Sequence, residues 1–185
     1  QGDCKNAFCQ SYLPEGETII LRPPKGCPVT APGDLWLLRK TLYGLRRSPY
    51  HWYQSIKKIL LDMGLTQSPH DPCVFYGQLD PDLPPIYIGL YVDDFKYFSP
   101  SDEVEALFEK RLSTKCRVDF MGEVSWFLGS KYEWDTLPDN RLTVSITQTA
   151  KAEDIIDNHG MSDCNPVATP YRPGFAIDRI PKDGL

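Results

Sequence analysis

No stretch of the 185-residue chain approaches the ~20 consecutive apolar residues of a helical membrane span. No basic segment followed by an apolar run stands at the start, so no secretory signal is visible and the chain is expected not to be secreted. C-x-x-C pairs are absent, and the three histidines, His51, His70 and His159, supply no regular zinc spacing. The six cysteines (Cys4, Cys9, Cys27, Cys73, Cys116, Cys164) are even in number. Without an export signal they are expected to be reduced, mostly buried thiols. The run His70–Cys73, HDPC, reads as a turn into a strand. There is no internal repeat and no regular β-α alternation. An excess of positive charge is also lacking: 20 Lys and Arg face 25 Asp and Glu, a net charge of −5. That argues against a simple nucleic-acid-binding module, which usually shows a basic face. The charge is uneven, however. From Asp34 to Asp62 six basic residues face two acidic ones, so this segment is +4 and the remainder −9. Such a patch can bind phosphates even in an acidic protein, or be a solvated helix face.

What is present is enough for a sizeable core: 41% apolar and 12% aromatic residues, in a length suited to one domain or one plus an appendage. Ser48 reads as a helix N-cap with Pro49 at the first helical position. Trp52, Ile56, Ile59, Leu60 and Met63 fall on one face of that helix, and Gly64 closes it. Ser99-Pro100 repeats the start signal, with Val104, Leu107, Phe108 and Leu112 as the apolar stripe of a second helix. TAKAEDIIDNHG, ending at Gly160, reads as a third. CVFYG, CRVDF, SWFLGSKYEW and RLTVSITQ read as strands, and QGDCKNAFCQSYL as a segment able to turn helical. LPEGETIILRPPKGCPVTAPGD reads as an extended ribbon and loop, and the four-proline tail from Cys164 as extended or loose. An α+β domain with a largely antiparallel sheet fits this order.

One stretch breaks a local rule. LYVDDFKYF, Leu90 to Phe98, places Asp93 and Asp94 side by side between two apolar, strand-like runs. Two-residue hairpin turns favour glycine because they need positive φ, and Val-Asp-Asp supplies none. Adjacent carboxylates also repel unless a cation compensates. A rule broken without visible compensation suggests a functional site rather than a solvated acidic turn. Paired carboxylates suit Mg²⁺, a hard cation that takes carboxylate oxygens and substrate phosphates. Two such ions commonly serve in-line phosphoryl transfer, and a third carboxylate is then expected from elsewhere. Asp3 is a candidate, with the aromatic Phe8 five residues later.

Tyr-Val-Asp-Asp between apolar strands resembles the signature hairpin of reverse transcriptases. DCKNAF followed by LPEGETIILRPP resembles the first palm motif of the Ty1/copia retrotransposon family. LWLLRKTLYGLRRSPYHWY resembles that family's next block, and MGEVSWFLG its primer-grip region. The resemblance covers about residues 1–160, in the family's order. It implies a polymerase-like palm with an antiparallel sheet and packed helices, partial fingers and the start of a thumb or connection. The palm with partial fingers would occupy residues 1–135, and its end with the proline-rich tail 136–185. Asp3, Asp93 and Asp94 would be the catalytic, metal-binding triad, holding two Mg²⁺ ions or Mn²⁺ in their place. Phe8 would lie beneath the sugar of the incoming nucleotide and exclude a 2′-hydroxyl. Tyr43, Gly44, Leu45, Arg46 and Arg47 would lie near template and nucleotide. Trp126, Phe127, Leu128 and Gly129 would form the primer grip.

The implied activity is RNA-directed DNA synthesis on an RNA or DNA template with a primer, from deoxynucleoside triphosphates, with no membrane partner. The implied context is a longer polyprotein with integrase and ribonuclease H, in cytoplasmic virus-like particles or the nucleus. The chain opens on Gln1 and is expected to be a segment of such a polyprotein. Three residues depart from the family pattern. Cys4 and Cys9 stand where aliphatic residues are usual and should pack as small hydrophobes. Lys96 replaces an aliphatic residue two positions after Asp94, and parity points it toward Asp94. The rival reading is a catalytically inactive, domesticated remnant that binds nucleic acid.

Overall fold

The computed structural model describes residues 1–24, 26–27, 33–169 and 174. Part of the proline-rich ribbon expected before Asp34, and most of the expected loose tail, lie outside the described residues. The chain forms two compact units, Gln1–Phe127 and Leu128–Leu185.

In the first unit, β1 (Gly2–Asp3) leads into a 3₁₀ turn at Ala7–Gln10, where the sequence suggested helix. Then β2 (Ile20–Leu21) pairs with β3 (Trp36–Leu37) as a short antiparallel ribbon. Helix α1 spans Ser48–Asp62 and buries Trp52, Ile56 and Leu60, one per turn on a single face, with Met63 just beyond. Ser48 does not cap it, contrary to expectation. Ser48 is the first helical residue, and its hydroxyl donates to the Leu42 carbonyl at 2.6 Å. Pro49 still stands in the first turn, where its missing N–H costs nothing. Gly64, at φ 91°, ends the helix: its N–H donates to Leu61 at 3.0 Å and that of Leu65 to Leu60 at 3.2 Å.

Next come β4 (Thr66–Gln67), β5 (Val74–Gly77), β6 (Ile86–Tyr91) and β7 (Asp94–Phe98). Helix α2, Asp102–Ser113, starts two residues later than Ser99-Pro100 suggests, because the Ser99 hydroxyl is engaged by the Pro85 carbonyl at 3.2 Å. Its stripe of Val104, Phe108 and Leu112 is buried as expected. Of CRVDF only β8 (Asp119–Phe120) is strand, and β9 (Trp126–Phe127) ends the unit.

Six strands form one sheet in the order β4-β5-β6-β7-β1-β8, and every adjacent pair is antiparallel. Phe75, Ile86, Ile88 and Phe95 point to the core, where α1 and α2 contribute their stripes. Phe95 meets Phe108 and Phe120 edge-on, each at 6.1 Å between ring centroids. The alternate positions Tyr76, Tyr87 and Phe98 stack in register on the opposite face.

The second unit is a β-hairpin, β10 (Ser130–Thr136) paired with β11 (Leu142–Thr147), followed by α3 (Thr149–Asn158) and Gly160 at φ 63°. Among the described residues no helix is long and apolar enough to cross a membrane. All six cysteines are free. Only Cys4 and Cys116 are buried, so the expectation of mostly buried thiols is corrected. The buried pair influence each other: the Cys116 thiol, with burial, pushes the Cys4 thiol well above its ordinary value, and the Cys116 thiol itself donates to the Leu112 carbonyl at 3.7 Å.

Candidate functional site

The hairpin of β6 and β7 closes on the pair Tyr91↔Asp94, leaving Val92 and Asp93 as its two-residue turn. Asp94 is thus the first residue of a strand, not part of the turn. Val92 takes φ 58°, the left-handed region that such turns normally give to glycine. For a β-branched residue this costs roughly 1–3 kcal/mol. The backbone around it is anchored twice. The Trp52 indole N–H donates to the Val92 carbonyl at 2.5 Å. The Cys4 backbone N–H donates to the Asp93 carbonyl at 2.8 Å.

That second anchor belongs to β1, which lies between β7 and β8. Asp3 pairs with Asp94 on one side and with Asp119 on the other. Residues directly opposite in an antiparallel sheet share a face. Asp94, Asp3 and Asp119 therefore form a row across three strands, with Asp93 one residue beyond. The sequence separates Asp3 from Asp93 by 90 residues; the register joins them. Asp119 was not singled out from the sequence, and no local signal marks it. It pairs with Lys5 at 2.7 Å, with both side chains about half exposed.

The row is electrostatically uncomfortable. Partial burial raises the pKa of Asp3, and the charges of Asp93 and Asp119 raise it further against the pull of Lys5. Burial also raises Asp94, helped by Asp93 and Asp3. A carboxyl that binds its proton more tightly when folded contributes stability below the ordinary aspartate value of 3.8 and loses it as pH rises through the folded value. At neutral pH without a cation, the ionised Asp94 opposes folding. Asp94→Asn is therefore expected to raise the melting temperature by a few degrees at pH 7 in chelator. The gain should vanish below the ordinary aspartate pKa and narrow in Mg²⁺. A melting temperature that falls at pH 7 would contradict this electrostatic reading.

The aromatic residues gather beside this row. Phe8, half-buried on the 3₁₀ turn, lies 4.7 Å from the Tyr43 ring, centroid to centroid. Thr41 holds the Phe8 carbonyl through its hydroxyl. Burial raises the Tyr43 phenol pKa, and the charges of Asp93, Cys9 and Asp3 add to it. Gly44, at φ 91°, forms the turn after Tyr43. Arg46 and Arg47 lie elsewhere, lining a cavity of about 180 Å³ with Glu17 and His51. Arg47 pairs with Glu17 at 3.2 Å. Trp126 is exposed on β9 and Phe127 half-buried, while Leu128 and Gly129, at φ 52° and 73°, turn the chain after it. The Lys96 ammonium lies 5.1 Å from the centre of the Phe127 ring. The shift of Asp94 is upward, against the lowering that an ammonium turned toward it would give. Cys4 is buried, as expected of a small hydrophobe.

Among the described residues no three Asp, Glu, His or Cys side chains already converge as a metal cage. The donor set nevertheless suits Mg²⁺. It is all carboxylate, it repels itself without a cation, and Mg²⁺ is usually held by one or two carboxylates plus substrate phosphates.

The family model described as reverse transcriptase (RNA-dependent DNA polymerase) matches residues 1–173. The chain is 28% identical over 173 residues to the retrovirus-related Pol polyprotein from transposon RE1 of Arabidopsis thaliana, which covers 94% of this chain and 11% of that protein. It is 27% identical over 171 residues to the corresponding polyprotein from transposon TNT 1-94 of Nicotiana tabacum, covering 92% of this chain and 12% of that one. Against the transposon Ty1-DR4 Gag-Pol polyprotein of Saccharomyces cerevisiae it is 34% identical over 101 residues, 54% of this chain and 6% of that protein. The chain thus spans about a tenth of the length of the Pol polyproteins from RE1 and TNT 1-94. No solved structure gives a significant match. With the match running through β1, the helices α1, α2 and α3 and the aspartate hairpin, the chain belongs to the reverse transcriptase (RNA-dependent DNA polymerase) family, as a partial domain of the Ty1/copia type.

Proposed function

We propose that the chain carries the palm of an RNA-directed DNA polymerase, which joins deoxynucleotides to a primer 3′-hydroxyl on an RNA or DNA template. In this reading residues 1–135 are palm with partial fingers, and 136–185 lead toward a thumb or connection. The observation that carries it is the register Asp3↔Asp94, with the Asp93 carbonyl bound to Cys4. Strand register and the turn place these three aspartates, from two distant segments, at one end of a sheet.

Asp3, Asp93 and Asp94 would hold two Mg²⁺ ions, or Mn²⁺. Bound there, such ions lower the pKa of the attacking hydroxyl and neutralise charge on the leaving phosphates. The chain's own part is positional. Strand register brings Asp3 beside Asp94, and the anchored turn keeps Asp93 from drifting. Phe8 and Tyr43 form an apolar wall beside them, suited to the flat sugar face of a nucleotide. Arg46 and Arg47 would meet phosphates further along the same strand, and the segment Trp126–Gly129 would steady the primer end.

The test is primer extension by the longer enzyme that contains this segment, on an RNA template with Mg²⁺ or Mn²⁺. Incorporation supports the reading. A folded enzyme that binds primer–template yet adds no nucleotide with either metal would move it to the non-catalytic remnant. The wall makes a separate prediction. Phe8→Val should open space beside the 2′ position and raise ribonucleotide incorporation relative to deoxynucleotide by at least about tenfold, the scale of one buried contact in substrate discrimination. Unchanged discrimination would make Phe8 ordinary core.

A further inference from the structure

The turn that carries Asp93 is strained, and nothing in its own composition relieves the strain. Val92 sits at φ 58° and is 47% exposed, so its side chain gains little from packing. Glycine would adopt this conformation freely, but the sequence places valine there. Backbone strain of this kind persists only where surrounding structure over-determines it. One restraint comes from α1, 40 residues away: the Trp52 indole N–H bound to the Val92 carbonyl at 2.5 Å. Trp52 is 2% exposed, and its own helix is locked into the core by Ile56 and Leu60. The donor therefore cannot follow a moving turn. The other restraint, from the Cys4 N–H, grips the next carbonyl from β1. The two bonds hold successive carbonyls of the turn from two separate elements.

Resting on the polymerase reading above, we infer that Trp52 is a positioning residue. Through the Val92 carbonyl its indole N–H holds the glycine-free turn in the one conformation that keeps Asp93 and Asp94 against Asp3. The competing explanation is that Trp52 is a core residue whose buried N–H found the nearest acceptor. The two differ in a single respect: only a positioning role depends on what occupies position 92.

Trp52→Phe keeps most of the ring and removes the donor. Val92→Gly removes the need for a restraint. Mn²⁺ binding to the 185-residue chain in the presence of a deoxynucleoside triphosphate, read by electron paramagnetic resonance, should weaken about fivefold in Trp52→Phe, the scale of one hydrogen bond. The same substitution made in a Val92→Gly chain should weaken it less than about twofold, since the turn no longer needs the bond. Equal losses in both backgrounds, or no loss in a folded Trp52→Phe chain, would overturn the positioning role. Asp93→Asn serves as the control. If it leaves Mn²⁺ binding unchanged, the metal reading falls, and the positioning role is decided by amide hydrogen exchange. Trp52→Phe should then speed exchange of the Cys4 amide, which depends on the turn, about fivefold, and leave those of Ile56 and Leu60 unchanged. An unchanged Cys4 rate would overturn it.

Discussion

Asp93→Asn is expected to abolish nucleotide addition, by about a thousandfold or more, in a protein that folds and melts no lower than before. Charge stabilisation by metal-ion catalysis is worth several kcal/mol, and each ~1.4 kcal/mol is tenfold in rate. Asparagine has nearly the same shape but no charge to hold a divalent ion. The fold should be indifferent because neither anchor of this turn uses the carboxylate. Trp52 binds the Val92 carbonyl and Cys4 binds the Asp93 carbonyl, both backbone groups that survive the change. Removing one of several repelling charges also relieves Asp3 and Asp94, whose pKa values Asp93 helps to raise. Primer extension and a thermal melt on the same preparation decide the matter. Full incorporation by the folded variant would remove Asp93 from the site, and a collapsed melt would show that the carboxylate is structural.

The second large effect falls on a residue without a side chain. A Cβ built on Gly2 would lie 2.4 Å from Cζ of Phe95 and 3.0 Å from the Asp119 carbonyl. Neither can yield easily. The Phe95 ring is wedged edge-on against Phe108 and Phe120, and the Asp119 carbonyl belongs to the neighbouring strand. Gly2→Ala is therefore expected to destabilise the fold by about 1–3 kcal/mol, the usual cost of overpacking a filled core. It should also lower activity out of proportion to the loss of folded protein. Gly2 and Asp3 make up the whole of β1, so a displaced Gly2 shifts Asp3 away from Asp94. Shortening the obstacle checks the cause: Phe95→Leu in the Gly2→Ala background should recover part of both. A double variant no better than Gly2→Ala would show that the ring is not what the new methyl meets.

Elements built on local pattern were legible in the sequence. The stripe Trp52, Ile56, Leu60 has the period of a helix, so α1 and its buried face follow from spacing alone. The aspartate pair between apolar runs announced a hairpin with something to explain, and the ordered motifs announced the family. Boundaries were less legible where a side chain had a competing partner. Ser48 and Ser99 look like caps, but each hydroxyl is taken by a distant carbonyl. The segment QGDCKNAFCQSYL, able to turn helical, supplies instead a two-residue strand and a 3₁₀ turn, because pairing with β7 and β8 claims its first residues.

The sequence by itself determined which residues carry the charge, which faces are apolar and which family the chain belongs to, since these depend on identity and on spacing along one segment. Only the tertiary structure decided which charges meet. Strand register sets Asp3 between Asp94 and Asp119, and a one-residue slip would turn the row to the other face. The left-handed Val92 and the Trp52 bond that restrains it were equally invisible. A hydrogen bond from a helix to a turn 40 residues away leaves no trace in local composition, because it depends on where packing has brought two backbones together.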